Sequence, residues 1–224
     1  MLIYLRDYAN AITATSFVFA ILGLFLALNG HIEIGTASML WMWFLDHWDG
    51  HVARKTSDSR RPGAADFGKC LDGFGDFMHG VIFPSVVVVL VGQGGVLSLV
   101  AILALIMAGA IRLSYFESFG LTSDAKFTGI PVSYDTPLVA ILLMARPGFP
   151  VAAFPTVFAL AFIALAMLHV TTAVKVPAIR GRAIPSATIL AVVISVVLAR
   201  QGLIGAASDD SCRALETIGG RENE

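Results

Sequence analysis

The chain has 224 residues, 57% of them hydrophobic and only 14% charged, with a mean hydropathy of +0.80. A soluble domain would carry roughly a quarter charged residues, and a net charge of −1 offers no electrostatic footprint for nucleic acid. Several runs of about 18 or more mostly apolar residues, none of them an alternating ten-residue segment, predict a polytopic all-α membrane protein and exclude a barrel.

The first span is predicted at residues 11–29. Arg6 ahead of it gives the look of a secretory signal, but its length and the spans behind it make it a retained helix. A second span follows at 33–54 and carries Asp46 and Asp49 near its end, with Trp41, Trp43 and Trp48 as core and interface anchors. After a polar, basic stretch containing Pro62-Gly63, a third span at 67–91 opens with Asp72 and Asp76. A fourth lies at 95–118. The fifth, at 131–146, is short and starts from Gly129-Ile130-Pro131, and Asp135 within it is a functional candidate by its depth. That acid either faces a substrate pocket or accepts a hydrogen bond from a helix partner. Spans at 151–173 and 184–204 complete six core helices plus a seventh, and a polar tail occupies 206–224.

Basic residues orient these spans. With the N-terminus inside, Arg6, Arg54, Lys55, Arg60, Arg61, Lys69, Arg112, Lys126, Lys175, Arg180 and Arg182 share the cytoplasmic side. The short outside loops hold Arg146, and Arg200, Arg213 and Arg221 follow the seventh span. Cys70 and Cys212 have no ligand spacing, so neither zinc nor a disulfide is expected.

The stretch "DHWDGHVARKTSDSRRPGAADFGKCLDGFGD" (46–76) carries the chemistry. Asp46 and Asp49 are three apart, and Asp72 and Asp76 four apart, so each pair shares one helix face. If the two helices are antiparallel neighbours, four carboxylates converge. Two carboxylates ~5 Å apart repel by roughly 3 kcal/mol at an effective dielectric of ~20, so such a cluster demands cations. Hard oxygen ligands favour Mg²⁺ or Mn²⁺, two ions would roughly balance the charge, and a two-metal site suits phosphoryl transfer. Single acids at helix ends are usually interfacial; four at helical spacing are not. A divalent cation transporter is the competing reading, although transport sites lie nearer the midplane. His47 and His51 point away from the neighbouring aspartates by helical phase, and His79, three after Asp76, either stands behind the acids or, as is usual for a lone histidine, only packs.

Asp46-x-x-Asp49-Gly50-x-x-Ala53-Arg54 followed by Gly68-x-x-x-Asp72-x-x-x-Asp76 resembles the signature of the CDP-alcohol phosphotransferases, with all eight fixed positions matched. The thirteen residues between Arg54 and Gly68 exceed the spacing usual in that family and read as a longer surface loop that tolerates shortening. "RLSYFE" (112–117), "FTGIP" (127–131) and "KVP" (175–177) further resemble stretches of the bacterial phosphatidylserine synthases of the same family.

The resemblance implies that residues 1–205 form the phosphotransferase domain, a homodimer of the inner membrane whose site faces the cytoplasm. It implies two Mg²⁺ or Mn²⁺ ions held by Asp46, Asp49, Asp72 and Asp76, with Asp76 also the general base. Asp49, Gly50, Ala53, Arg54, Gly68 and Asp72 would line the CDP pocket, and Arg112 and Lys126 would meet the acceptor. The implied substrates are CDP-diacylglycerol and L-serine, or alternatively inositol phosphate, glycerol phosphate or another polyol phosphate.

Overall fold

A computed structural model describes residues 1–177 and 183–219, apart from the side chains of 183, 184, 187 and 206–219. A short 3-10 turn (Leu2–Arg6) leads into α1 (Tyr8–Leu28), which returns through α2 (Ile32–Lys55). A second 3-10 turn (Ser57–Ser59) precedes α3 (Ala64–Phe77). A π-helical turn (Met78–Ile82) joins α3 to α4 (Phe83–Val91), and α5 (Val96–Phe119) follows. Strand β1 (Lys126–Thr128) and a 3-10 turn (Val132–Tyr134) lead to α6 (Asp135–Ala145), then α7 (Phe154–Val170), β2 (Lys175–Pro177) and α8 (Ala183–Gly219). Arg180, Arg182, Cys212, Arg213 and Arg221, with the rest of the expected tail, lie outside the described side chains.

Four helices among the described residues are long and apolar enough to cross a membrane: α1, the continuous rod Ala64–Val91, α5, and Thr188–Gly205 within α8. Helix α2 matches them in length, but its last turns are polar. Helix α7, with 17 residues, is slightly short. The fifth predicted span differs most: α6 has 11 residues, which rise about 16 Å, roughly half a hydrocarbon core. Pro131 starts a 3-10 turn in place of a full helical span, so α6 begins deep with Asp135 at its first position.

Apolar side chains divide between two surroundings. Phe83, Phe158, Phe162, Met39, Leu40 and Leu105 form the sealed centre between α2, α4, α5 and α7. Val18, Ile21, Leu22, Phe25 and Leu28 of α1, and Leu99, Leu103, Met107 and Ile111 of α5, stand exposed along one face of each helix. A soluble protein would bury such stripes; here they are the faces that meet lipid. Without a hydrophobic drive between helices in lipid, close approach decides packing. Helices α1 and α2 cross through a glycine pair, since a Cβ on Gly35 would stand 2.6 Å from the Gly23 carbonyl oxygen.

Basic residues gather where α1 begins, α2 ends and α3 begins. Lys69 of α3 pairs with Glu117 of α5 at 2.9 Å. Arg146 lies at the opposite end, 3.5 Å from Glu33.

The α2–α3 connection lies on the surface, as read from the sequence, and is anchored there. Arg60 donates through Nε and Nη2 to both Asp7 carboxylate oxygens, each at 3.0 Å, and through Nη2 to Asn10 Oδ1 at 2.9 Å. Asn10 is buried and donates in turn to the Tyr4 and Ala64 carbonyls at 3.1 and 3.0 Å. The loop is thereby tied to the start of α1, and α3 is set in register with it.

Candidate active site

The anchored connection holds the end of α2 against the start of α3, so the two acidic pairs face each other. Carboxylate atoms of Asp46, Asp49 and Asp72 lie within 4.8 Å of one another, and so do ligand atoms of Asp46, Asp76 and His79. Asp46 belongs to both groups. It faces Gly75 of α3, where a Cβ would stand in ordinary contact, 3.6 Å from Asp46 Oδ1. From α1, the Thr13 hydroxyl donates to Asp49 Oδ2.

The four aspartates form one wall of a cavity of about 240 Å³. Gly50 and Arg54 continue that wall, while Arg112, Phe116, Phe127, Val132, Ser133 and Tyr134 stand across from it. Among the described residues, four carboxylates against two lining arginines leave a net negative charge. Asp46 Oδ1 is buried without a hydrogen-bond partner, an arrangement that costs free energy unless something else satisfies it. The hard donor set, the excess charge and this orphaned oxygen together fit divalent cations.

The other expected site residues divide. Arg112 is 5% exposed, and its Nε has no hydrogen-bond partner among the described residues. Its guanidinium lies 5.8 Å from the Phe116 ring centroid and 5.5 Å from that of Phe127, a cation held on aromatic faces beside the acidic wall. Lys126 does not line the cavity; it pairs with Asp124 at 3.3 Å on an exposed turn, and its neighbour Phe127 turns inward instead. Ala53 and Gly68 also lie off the cavity lining. A Cβ on Gly68 would stand 2.3 Å from Asn10 Oδ1, so the observed contact of this glycine is with α1.

The wall bearing Val132–Tyr134 is fastened from behind. Gly129 has φ +75°, and a Cβ there would meet the His169 carbonyl oxygen at 2.4 Å, so the position requires glycine twice over. The Gly129 N–H donates to the Val174 carbonyl at 2.8 Å and the Ile130 N–H to the Leu168 carbonyl at 3.0 Å. Strands β1 and β2 pair antiparallel, with Phe127 opposite Val176. His169 Nδ1 meets the Ile130 carbonyl at 2.8 Å and must donate to it, because a carbonyl only accepts. Its Nε2 lies 3.0 and 3.1 Å from the two Asp135 oxygens. Asp135 therefore serves a helix partner; it does not line the cavity.

Two histidines differ from the sequence expectation. His47 lines the cavity with Nδ1 4.0 Å from Asp46 Oδ2, its ring held against the Trp43 carbonyl at 2.8 Å. His79 is fully buried with Nε2 3.4 Å from Asp76 Oδ1. The three-residue spacing from Asp76 was the signal for the second; a lone histidine usually only packs, which hid it.

The family model for CDP-alcohol phosphatidyltransferase matches residues 6–209. The chain belongs to that family, and it is a membrane-embedded transferase of phospholipid biosynthesis that moves a phosphatidyl group from a CDP-alcohol to an acceptor. Enzymes of this family depend on divalent metal, and the two aspartate groups have the spacing to hold such an ion; membership sets aside the transporter reading. A search of curated proteins finds no match.

Proposed function

We propose that the enzyme transfers the phosphatidyl group of CDP-diacylglycerol to L-serine and releases CMP, working as a homodimer in the inner membrane with its site toward the cytoplasm. The observation that carries this reading is Arg112, buried and unpaired at Nε, in the same cavity as the four aspartates. A serine carboxylate supplies the partner that this guanidinium lacks, in a bidentate pair. The gathering of basic residues at the site's end of the helices supports the orientation.

Asp46, Asp49, Asp72 and Asp76 would hold two Mg²⁺ or Mn²⁺ ions. Bound there, the ions supply Lewis acidity and neutralise charge developing on the pyrophosphate. Of the CDP-pocket residues the resemblance implies, Asp49, Gly50, Arg54 and Asp72 would meet the CDP moiety directly, with Arg54 pairing a phosphate. Gly68 and Ala53 act in this reading by letting the helices sit close behind the pocket. Arg112 orients the acceptor by its carboxylate, and Lys126 adds positive charge at the entrance. Asp76 takes the proton from the acceptor hydroxyl. The freed oxygen attacks the phosphorus on the lipid side, a new P–O bond forms, and the bond to CMP breaks. Phe116, Phe127 and the fastened strap keep water from competing with the acceptor.

A phosphorylated polyol would call for more cationic side chains than Arg54 and Arg112, the arginines that line the cavity among the described residues, bring to it. The test is purified protein with labelled CDP-diacylglycerol, Mn²⁺ or Mg²⁺, and a panel of serine, glycerol phosphate, inositol phosphate and inositol. Lipid product with serine alone is expected. Product with a polyol phosphate and none with serine overturns the acceptor assignment.

A further inference from the structure

Outside the four aspartates, the least explained polar group near the site is His79. It is fully buried, and neither ring nitrogen has a hydrogen-bond partner among the described residues. Burying an imidazole without partners costs free energy, so the position calls for something that satisfies it. The ring is aimed at the acids: Nε2 lies 3.4 Å from Asp76 Oδ1 and 3.9 Å from Asp46 Oδ2, without hydrogen-bond geometry to either. Two ligands about 2.1 Å from one octahedral ion stand about 3 Å apart when adjacent and about 4.2 Å apart when opposite. The observed separations equal neither value but lie within about 1 Å of the adjacent one, close enough for a bound ion to draw the three side chains together.

The backbone supports this aim. His79 sits in the π-helical turn Met78–Ile82, and such turns widen a helix at single points, frequently at functional sites. Its carbonyl accepts a hydrogen bond from the Thr136 hydroxyl of α6. Gly80 follows so closely on α6's leading turn that a Cβ would stand 2.7 Å from the Val132 carbonyl oxygen. The ring's place beside Asp76 is thus set by contacts to a neighbouring segment.

We infer that His79 is a nitrogen ligand to the second of two cations, held by Asp46, Asp76 and His79, while the first is held by Asp46, Asp49 and Asp72, with Asp46 common to both. This rests on the metal-dependent reading of the site. The two positions then differ chemically. The first has only carboxylate oxygen, suited to Mg²⁺ or Mn²⁺, whereas the second replaces one carboxylate by a neutral imidazole. An ion there keeps more of its positive charge, and a nitrogen donor favours Mn²⁺ over Mg²⁺.

The test reads the metal directly. Pulsed electron paramagnetic resonance on the Mn²⁺-loaded protein should show coupling to a directly bound imidazole nitrogen, changing frequency on ¹⁵N-histidine labelling. His79→Gln should abolish the coupling and His47→Gln should keep it. Mn²⁺ affinity should fall about tenfold or more in His79→Ala, as for lost metal-site partners. Bound Mn²⁺ without nitrogen coupling in the wild-type protein overturns the ligand role while leaving the carboxylate site intact, and needs no variant to fold. Loss of the coupling in His47→Gln in place of His79→Gln overturns it too. Failure of Mn²⁺ to bind at all sinks both this inference and the metal reading beneath it.

Discussion

Gly68 of α3 and Asn10 of α1 occupy one space: the amide oxygen of Asn10 lies where a side chain on residue 68 would begin, 2.3 Å from that position. The same oxygen accepts from Arg60, and the Asn10 amide nitrogen reaches the Ala64 carbonyl. One glycine therefore sets how closely the first and third helices approach, and through them how the acidic pairs meet.

Gly68→Ala should force α1 away from α3 and destabilise the protein by roughly 1–3 kcal/mol, the usual cost of overpacking. Asn10→Ala alone removes several hydrogen bonds, but in the Gly68→Ala background it also relieves the clash. The double variant should therefore be less destabilised than the sum of the singles. Thermal unfolding in detergent across the four proteins decides it, and strict additivity would refute the contact.

Asp76→Asn is expected to lower transfer by about 10²–10⁴-fold, the usual contribution of a positioned base. The variant should remain folded and bind CDP-diacylglycerol, because Asp46, Asp49 and Asp72 are untouched. CMP release and donor binding are the two measurements. Near-normal turnover removes Asp76 from the chemistry.

Arg112→Ala should raise the acceptor KM about tenfold to a hundredfold, matching a charge-assisted hydrogen bond of roughly 1.5–3 kcal/mol. Donor KM should change little, since Arg54 lies on α2 while Arg112 stands on the opposite wall. Arg112→Lys should recover only part, because an ammonium cannot reproduce the bidentate pair. If both acceptor constants stay near wild type, the guanidinium only packs on Phe116 and Phe127.

The loop anchor carries a pH dependence. Burial pushes the Asp7 carboxyl up, but its hydrogen bonds from Arg60 and the Asn10 N–H, with the Arg60 charge, outweigh that and hold it below the usual carboxylate range. A depressed carboxylate stabilises the fold fully above its unfolded pKa and loses that contribution as pH falls through the folded one. The anchor should thus hold at neutral pH and weaken below about pH 4. Hydrogen exchange over residues 56–63 should rise in that window. In Asp7→Asn it should already be raised at neutral pH and respond less to acid. Equal acid response in both proteins would dissociate Asp7 from the loop.

Two kinds of information were legible in the chain itself. Hydropathy reports the solvent around each segment, so most of the long helices could be placed to within a few residues. The acid spacings are local too: three and four residues put Asp46 with Asp49, and Asp72 with Asp76, on single helix faces, and the signature pattern led to the family from those positions. The contacts that finish the site are not local. Arg60 reaches Asp7 across 53 positions, and Asn10 reaches Ala64 across 54. Tertiary structure alone decided that the basic loop is an anchor, that Gly68 meets α1, and that Asp135 serves His169. It also decided that α6 is a half-length helix, because Pro131 and the Gly129 turn spend the preceding residues on a strap fastened to the end of α7. His79 shows the same division. Its spacing from Asp76 is visible in sequence, yet the π-helical turn and the packing of α6 aim the ring at the acids, and both depend on how separate helices settle against one another.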